Sequence, residues 1–170
     1  MIIIDDFLDN DYLTHIQDII PKLHYAIHSS DHNTSSTFLS SVGNFPNTDC
    51  FQTIIKKILN LTYIRNPSII RCYVNLNPQG KYHSGRFHDD DGDITALFYP
   101  YPWQKEWGGE TEFEDGTMIE NKENRLVLFD AKKFHRAVEH TAPNFRYSVA
   151  FKLEAEWNED SINNRYTLGS

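Results

Sequence analysis

The sequence predicts a mainly β fold with supporting helices, of the jelly-roll kind, and three observations carry that reading. Apolar residues recur at helical spacing only in the early part of the chain, and from Ile69 the period switches to two. The period-two runs are short, evenly spaced and separated by turn residues, as in an antiparallel β domain of two packed layers. Aromatic residues make up 14% of the 170, which suits strands around a lined pocket. The length predicts one domain, 1–170, with helical support over about 1–66 and a β core over about 67–155.

Taken in order, Ile2-Ile3-Ile4 reads as a short strand. Asp9 or Asn10 caps a helix with Leu13, Ile16 and Ile20 on one stripe, which Pro21 stops. The segment 28–37 is polar and without period, so it reads as a loop. A second helix, capped by Asn47 or Thr48, places Phe51, Ile54, Ile55 and Ile58 on one buried face. In the strand from Ile69, Ile70, Cys72, Val74 and Leu76 alternate with Arg71, Tyr73 and Asn75; that polar side faces either solvent or a pocket. Asn77-Pro78-Gln79-Gly80 is a turn, and a further apolar strand runs over 94–99. The aromatic, proline-containing run 100–107 forms a loop over one end of the barrel. Gly108-Gly109 opens the next strand, Asp115-Gly116 marks a hairpin, and Asn121-Lys122-Glu123-Asn124 makes a turn before the strand 125–129. The last run, 146–153, places Tyr147, Val149, Phe151 and Leu153 on one face and Arg146 with Ser148 on the other. The polar stretch from Asn158 reads as a fraying tail.

Composition narrows the function. A formal net charge of -8 disfavours nucleic acid as a partner, because a grip on phosphates needs clustered Lys and Arg. Two cysteines, Cys50 and Cys72, make neither a metal spacing nor a disulfide framework, as expected of a reducing cytoplasm. The apolar start Met1-Ile2-Ile3-Ile4 meets Asp5-Asp6 too early for a signal peptide, and no apolar run approaches membrane length. The expected setting is therefore cytoplasmic and away from membranes, with oligomeric state left open.

Chemistry concentrates at Arg86-Phe87-His88-Asp89-Asp90-Asp91-Gly92-Asp93. In an extended chain residues i and i+2 face the same way, so His88 and Asp90 present an imidazole and a carboxylate to one metal ion. His135 or His140, both beyond the strand 125–129, supplies a third ligand. Two imidazoles and one carboxylate on one face of an iron leave the opposite face open, the arrangement of non-haem Fe(II) oxygenases. A calcium loop fails for this segment, since aligning Gly92 with the loop glycine puts Phe87 and Phe98 at ligand positions; Asp89, Asp91 and Asp93 read as solvated neighbours. His24, His28 and His32 are spaced by four but lack the Glu of a His-Glu-x-x-His site, and read as incidental. Arg146 beside Ser148, on a strand near the metal, suits a carboxylate, because its planar fork of donors matches two oxygens.

These residues resemble the 2-oxoglutarate and Fe(II)-dependent dioxygenases, within them the prolyl 4-hydroxylase-like group. The resemblance is carried by His88-x-Asp90, Trp107-Gly108-Gly109-Glu110-Thr111-Glu112-Phe113, the strand leading to His135, and Arg146-x-Ser148, and covers about half the chain. It implies a double-stranded β-helix with His88, Asp90 and His135 as iron ligands; the Phe134-His135-x-x-Val138 setting and the wider gap to Arg146 favour His135 over His140. Arg146, helped by Ser148, would hold the distal carboxylate of 2-oxoglutarate, with Tyr73, Asn75, Tyr82 and Tyr99 as further candidates for the pocket. The implied reaction consumes O2 and 2-oxoglutarate, releases succinate and carbon dioxide, and hydroxylates an unactivated C–H bond of a peptidyl residue or small metabolite, with ascorbate as supporting reductant. Presence of the carboxylate Asp90 favours hydroxylation over the halogenation of related enzymes that lack it. Two alternatives are a nucleobase-directed demethylase of the same superfamily and a jelly-roll binding module without turnover.

Overall fold

The computed structural model describes residues 1–28, 38–41, 49–80 and 85–157. The predicted loop beyond His28, the caps Asn47 and Thr48, Tyr82 and the tail from Asn158 lie outside the described residues. The elements are β1 (Ile2–Ile4), α1 (Asn10–Ile19), β2 (Tyr25–His28), β3 (Phe38–Ser41), α2 (Asp49–Leu59), β4 (Ile64–Asn77), β5 (Ile94–Tyr99), β6 (Thr111–Phe113), β7 (Met118–Ile119), β8 (Arg125–Asp130), β9 (His135–Ala137) and β10 (Arg146–Trp157). Among the described residues no helix is long and apolar enough to cross a membrane.

The larger sheet has the order β1-β8-β5-β10-β4-β3-β2, and its neighbours are antiparallel. A smaller sheet, β7-β6-β9, carries the hairpin. Alternation along the central strands divides two cores. Cys72, Val74, Ala96, Phe98, Leu126, Leu128, Val149, Phe151 and Leu153 face the helices, where they meet Leu13, Ile16, Phe51, Ile54 and Ile58. Leu97, Tyr99, Val127, Phe129 and Ala150 face Phe113 and Ile119 of the smaller sheet. Two antiparallel sheets facing each other over that second core are the double-stranded β-helix, with α1 and α2 buttressing the outer face of the larger one.

The helices form where periodicity placed them. The Asp9 carboxylate accepts from the Tyr12 backbone N–H at 3.0 Å as N-cap, and Pro21 falls in a 3-10 turn, Ile20–Lys22, that takes over from α1. Phe51, Ile54, Ile55 and Ile58 are all buried. Each fully buried aliphatic or aromatic side chain of this kind stabilises the fold by about 1.5–3 kcal/mol.

Two predicted boundaries need correction. β4 starts at Ile64, five residues before the predicted Ile69. Asn66 sits at φ 48° before Pro67, and the facing β10 shifts register between Lys152 and Leu153 and between Glu154 and Glu156. These irregularities erase the alternation without ending the pairing. His28, placed in the loop, instead closes β2 opposite Phe38. Backbone pairing across the sheet decides there, and a polar local sequence does not forbid it.

Candidate metal centre and carboxylate anchor

His88 and His135 are brought together by backbone pairing. His88 N–H donates to the His135 carbonyl at 3.0 Å, and His135 N–H to the His88 carbonyl at 2.9 Å. Directly opposed residues on antiparallel chains project to the same side, so the rings converge, with centroids 4.6 Å apart. Each ring is also turned by a carbonyl two residues upstream: His88 Nδ1 meets Arg86 O, and His135 Nδ1 meets Lys133 O, both at 2.9 Å. A carbonyl can only accept, so Nδ1 carries the proton and Nε2 presents its lone pair.

Asp90 completes the group. Its backbone N–H is tied to Ala131 O at 2.8 Å, next to the turn that delivers His135. One oxygen, Oδ2, lies 3.4 Å from His135 Nε2, and Oδ1 lies 4.0 Å from His88 Nε2. One ligand atom from each of the three residues falls within 4.8 Å of the others. Two imidazole nitrogens and one carboxylate oxygen converging from one side fit a divalent iron with open positions opposite. Protonation agrees with ligation. Burial pushes the His135 pKa down to about 4, keeping it the neutral ligand. Burial opposes ionisation of Asp90, but the Lys152 ammonium and His135 outweigh it and hold this carboxyl below its ordinary range.

At the other end of the same inner face stands Arg146, only 1% exposed. Its Nε–H donates to Gly109 O at 2.6 Å, Nη1 to Asn77 Oδ1 at 3.2 Å and Nη2 to Thr111 Oγ1 at 3.2 Å. The guanidinium lies 5.5 Å from the Tyr99 ring centroid, and the Tyr99 hydroxyl meets Thr111 Oγ1 at 2.7 Å. Gly109, at φ 82°, lets the wall close: a Cβ there would meet Trp103 at 3.0 Å, His140 at 3.1 Å and Arg146 at 3.3 Å. β6 runs between the two ends. Phe113 pairs with His135, and Thr111, two residues earlier, holds the guanidinium, so the two are a strand step of roughly 7 Å apart along β6. That is the scale of a short dicarboxylate bound at the metal by one end and at Arg146 by the other.

The remaining sequence candidates fall into place around this axis. Ser148 is buried on the face of Arg146, one alternation along and opposite Asn75. Arg146's hydrogen bonds instead go to Asn77, Thr111 and Gly109, which the sequence reading did not single out for the pocket. Asn77 is in register with Arg146 on β4, so extending the Tyr73–Asn75 alternation by one step would have found it. Tyr73 stands at the metal end, its ring centroid 5.0 Å from Arg71 and 5.6 Å from the Lys152 ammonium. Tyr99 stands at the anchor. His140, read as loop, is bridged to Gly108 and buried, with Nε2 against Asn77 O at 3.1 Å; it backs the anchor rather than the metal.

A model of the 2OG-Fe(II) oxygenase superfamily matches residues 69–153. No curated protein matches the chain. Among solved structures, the chain is similar to a prolyl hydroxylase from Trichoplax adhaerens, solved with a hypoxia inducible factor oxygen degradation domain peptide fragment: TM-score 0.63, 17% identity, covering 99% of this chain and 86% of that one. A Pseudomonas putida prolyl-4-hydroxylase gives TM-score 0.62 at 16% identity over 89% and 91%. The non-heme alpha ketoglutarate dependent epimerase SnoN from nogalamycin biosynthesis gives TM-score 0.69 at 12% identity over 92% and 77%. At these identities the structural likeness speaks for the fold. With the family match spanning half the chain, and His88, Asp90 and His135 disposed to bind a metal, the chain belongs to the 2OG-Fe(II) oxygenase superfamily and is a 2-oxoglutarate-dependent dioxygenase that uses iron and O2.

Proposed function

We propose that this dioxygenase hydroxylates an unactivated C–H bond of a peptidyl residue, in the manner of prolyl 4-hydroxylases. The iron, when bound, supplies the oxidising chemistry; the chain supplies orientation and exclusion of water. His88, Asp90 and His135 would hold the metal, and Arg146, backed by Tyr99 and Thr111, would hold the distal carboxylate of 2-oxoglutarate.

The observation that carries the substrate reading is the unequal exposure of the two ends. The Arg146 end is sealed, whereas the His88 side chain is 50% exposed. A cosubstrate thus sits deep, while a large substrate approaches the metal from solvent without entering the barrel. A residue on a polypeptide meets that requirement, and the Trichoplax adhaerens neighbour was solved with a peptide. Net acidity of -8 weighs against nucleic acid, whose binding gains from counterion release by Lys and Arg.

The test supplies purified protein with Fe(II), 2-oxoglutarate and ascorbate, and offers proline-containing peptides alongside a panel of free metabolites and a methylated oligonucleotide. The expected result is succinate matched by a peptide product heavier by one oxygen atom, both abolished by Asp90→Ala. Products confined to the metabolites or the oligonucleotide would overturn the peptide reading.

A further inference from the structure

The inner row of β10 runs Arg146, Ser148, Ala150, Lys152, so the strand that carries the anchor at one end carries a second cation six residues on. Lys152 is 2% exposed. It lies opposite Thr95 of β5 and Arg71 of β4, and its ammonium contacts Asp90 Oδ2. Thr95 Oγ1–H donates to that same oxygen at 2.6 Å, and the ammonium lies 3.4 Å from Thr95 Oγ1. Arg71 on the neighbouring strand is engaged elsewhere, with Asp91 at 3.1 Å. Burying an ammonium costs several kcal/mol, and a well-packed apolar side chain of similar volume is often no less stable, so packing alone does not explain a lysine here.

The partner chosen by that lysine does explain it. A carboxylate can bind a metal through one oxygen or both. An iron held by His88, His135 and one oxygen of Asp90 would keep three positions open, enough to take the keto acid end of 2-oxoglutarate and still leave one. If both oxygens of Asp90 were bound, cosubstrate would fill what was left. Among the described residues Oδ2 receives both donors, from Thr95 and Lys152, while Oδ1 receives none. We propose that Lys152 is a positioning residue: with Thr95 it occupies the second oxygen of Asp90, restricts Asp90 to one bond to the metal, and so preserves the third open position.

This inference rests on the metal reading of His88, Asp90 and His135, and the test separates the two. Mn(II) is bound to the wild-type protein and to Lys152→Met, and inner-sphere water is counted from water-proton relaxation. The wild type is expected to show three exchangeable waters on Mn(II), and one after saturation with 2-oxoglutarate. Lys152→Met is expected to lose about one third of the inner-sphere relaxivity before cosubstrate and nearly all of it afterwards. Its kcat for succinate should fall roughly 10- to 100-fold while KM for 2-oxoglutarate stays within about twofold. If Lys152→Met does not fold, Lys152→Gln, which removes the charge and shortens the reach, should give the same loss of water. Wild-type relaxivity in the folded variant, with and without 2-oxoglutarate, would overturn the proposal. So would a collapse of 2-oxoglutarate affinity at unchanged relaxivity, which would make Lys152 a cosubstrate ligand. Failure of the wild type to bind Mn(II) would overturn the metal reading itself and this proposal with it.

Discussion

The two ends of the pocket handle buried charge in opposite ways. At the metal end the carboxylate of Asp90 is met by Lys152, so a negative and a positive group already balance. At the anchor end Arg146 is just as deeply buried, yet the groups it touches are neutral, a carbonyl, an amide, a hydroxyl and an aromatic face, and the Glu110 carboxylate attracts it only from beyond ion-pair distance. Among the described residues no carboxylate stands within ion-pair distance of it. Isolating a cation from water costs several kcal/mol, and an arriving carboxylate recovers that cost as affinity. The anchor is therefore built for an anion that comes and goes, and the metal end for a carboxylate that stays.

The largest expected effect breaks the metal end. Asp90→Ala removes a ligand and leaves the Lys152 ammonium buried without its partner, so succinate formation should drop by about 4 kcal/mol in transition-state stabilisation, roughly a thousandfold. A steady-state succinate assay reads this, and near wild-type turnover would show that Asp90 is no ligand. Next comes the anchor. Arg146→Leu should weaken 2-oxoglutarate by about 3 kcal/mol, roughly a hundredfold, with Mn(II) affinity nearly unchanged, as followed by calorimetry on the metal-loaded protein. Equal losses of metal and cosubstrate would mean that the ends are not separable.

A smaller effect sharpens the picture of the anchor wall. Gly109→Ala forces a side chain into a backbone at φ 82° and against Trp103, His140 and Arg146. Strain of about 1–2 kcal/mol, expressed as roughly tenfold weaker 2-oxoglutarate binding at intact metal binding, is the expected outcome. The smallest effect lies outside both ends. The Arg125 hydrogen bond, helped by Lys122 and against a modest cost of burial, lowers the Asp5 carboxyl to about 2 from 3.8. Its folded-state value lies below the unfolded one, so its contribution is present above pH 3.8 and lost as pH falls towards 2. Asp5 is exposed although Arg125 is half-buried, so solvent screens the pair and Asp5→Asn should cost about 0.5 kcal/mol at neutral pH, leaving metal and cosubstrate binding alone. Thermal melts at neutral and acidic pH measure it; an equal loss at both would assign it to packing instead.

The chemistry was legible where it follows from local geometry. His88-x-Asp90 depends on the alternation of an extended chain, and Arg146 with Ser148 on that of one strand; both show in a string of letters. What stayed hidden depends on register between distant strands. Asn77 and Thr111 reach Arg146 across 69 and 35 positions, and no local pattern sets those pairings. Lys152 shares the parity of Arg146 and Ser148, but only the flanking of that position by β4 and β5 buries it. Spacing alone left His135 and His140 open and the family resemblance favoured His135; the reciprocal backbone pair with His88 supplies the physical reason, drawing that ring to the metal while Asn77 takes His140. The early start of β4 was masked by Pro67 and the facing bulges, so fold class was legible and this strand's edge was not.

The strand step along β6 spaces the metal group and Arg146 for one five-carbon diacid. Affinities of the Mn(II)-loaded protein for oxaloacetate, 2-oxoglutarate and 2-oxoadipate, measured side by side, test it most directly. 2-Oxoglutarate should bind at least roughly tenfold more tightly than its shorter and longer homologues, a difference of about 1.4 kcal/mol, and that preference should vanish in Arg146→Leu. Equal affinity for all three acids in the wild type would contradict it.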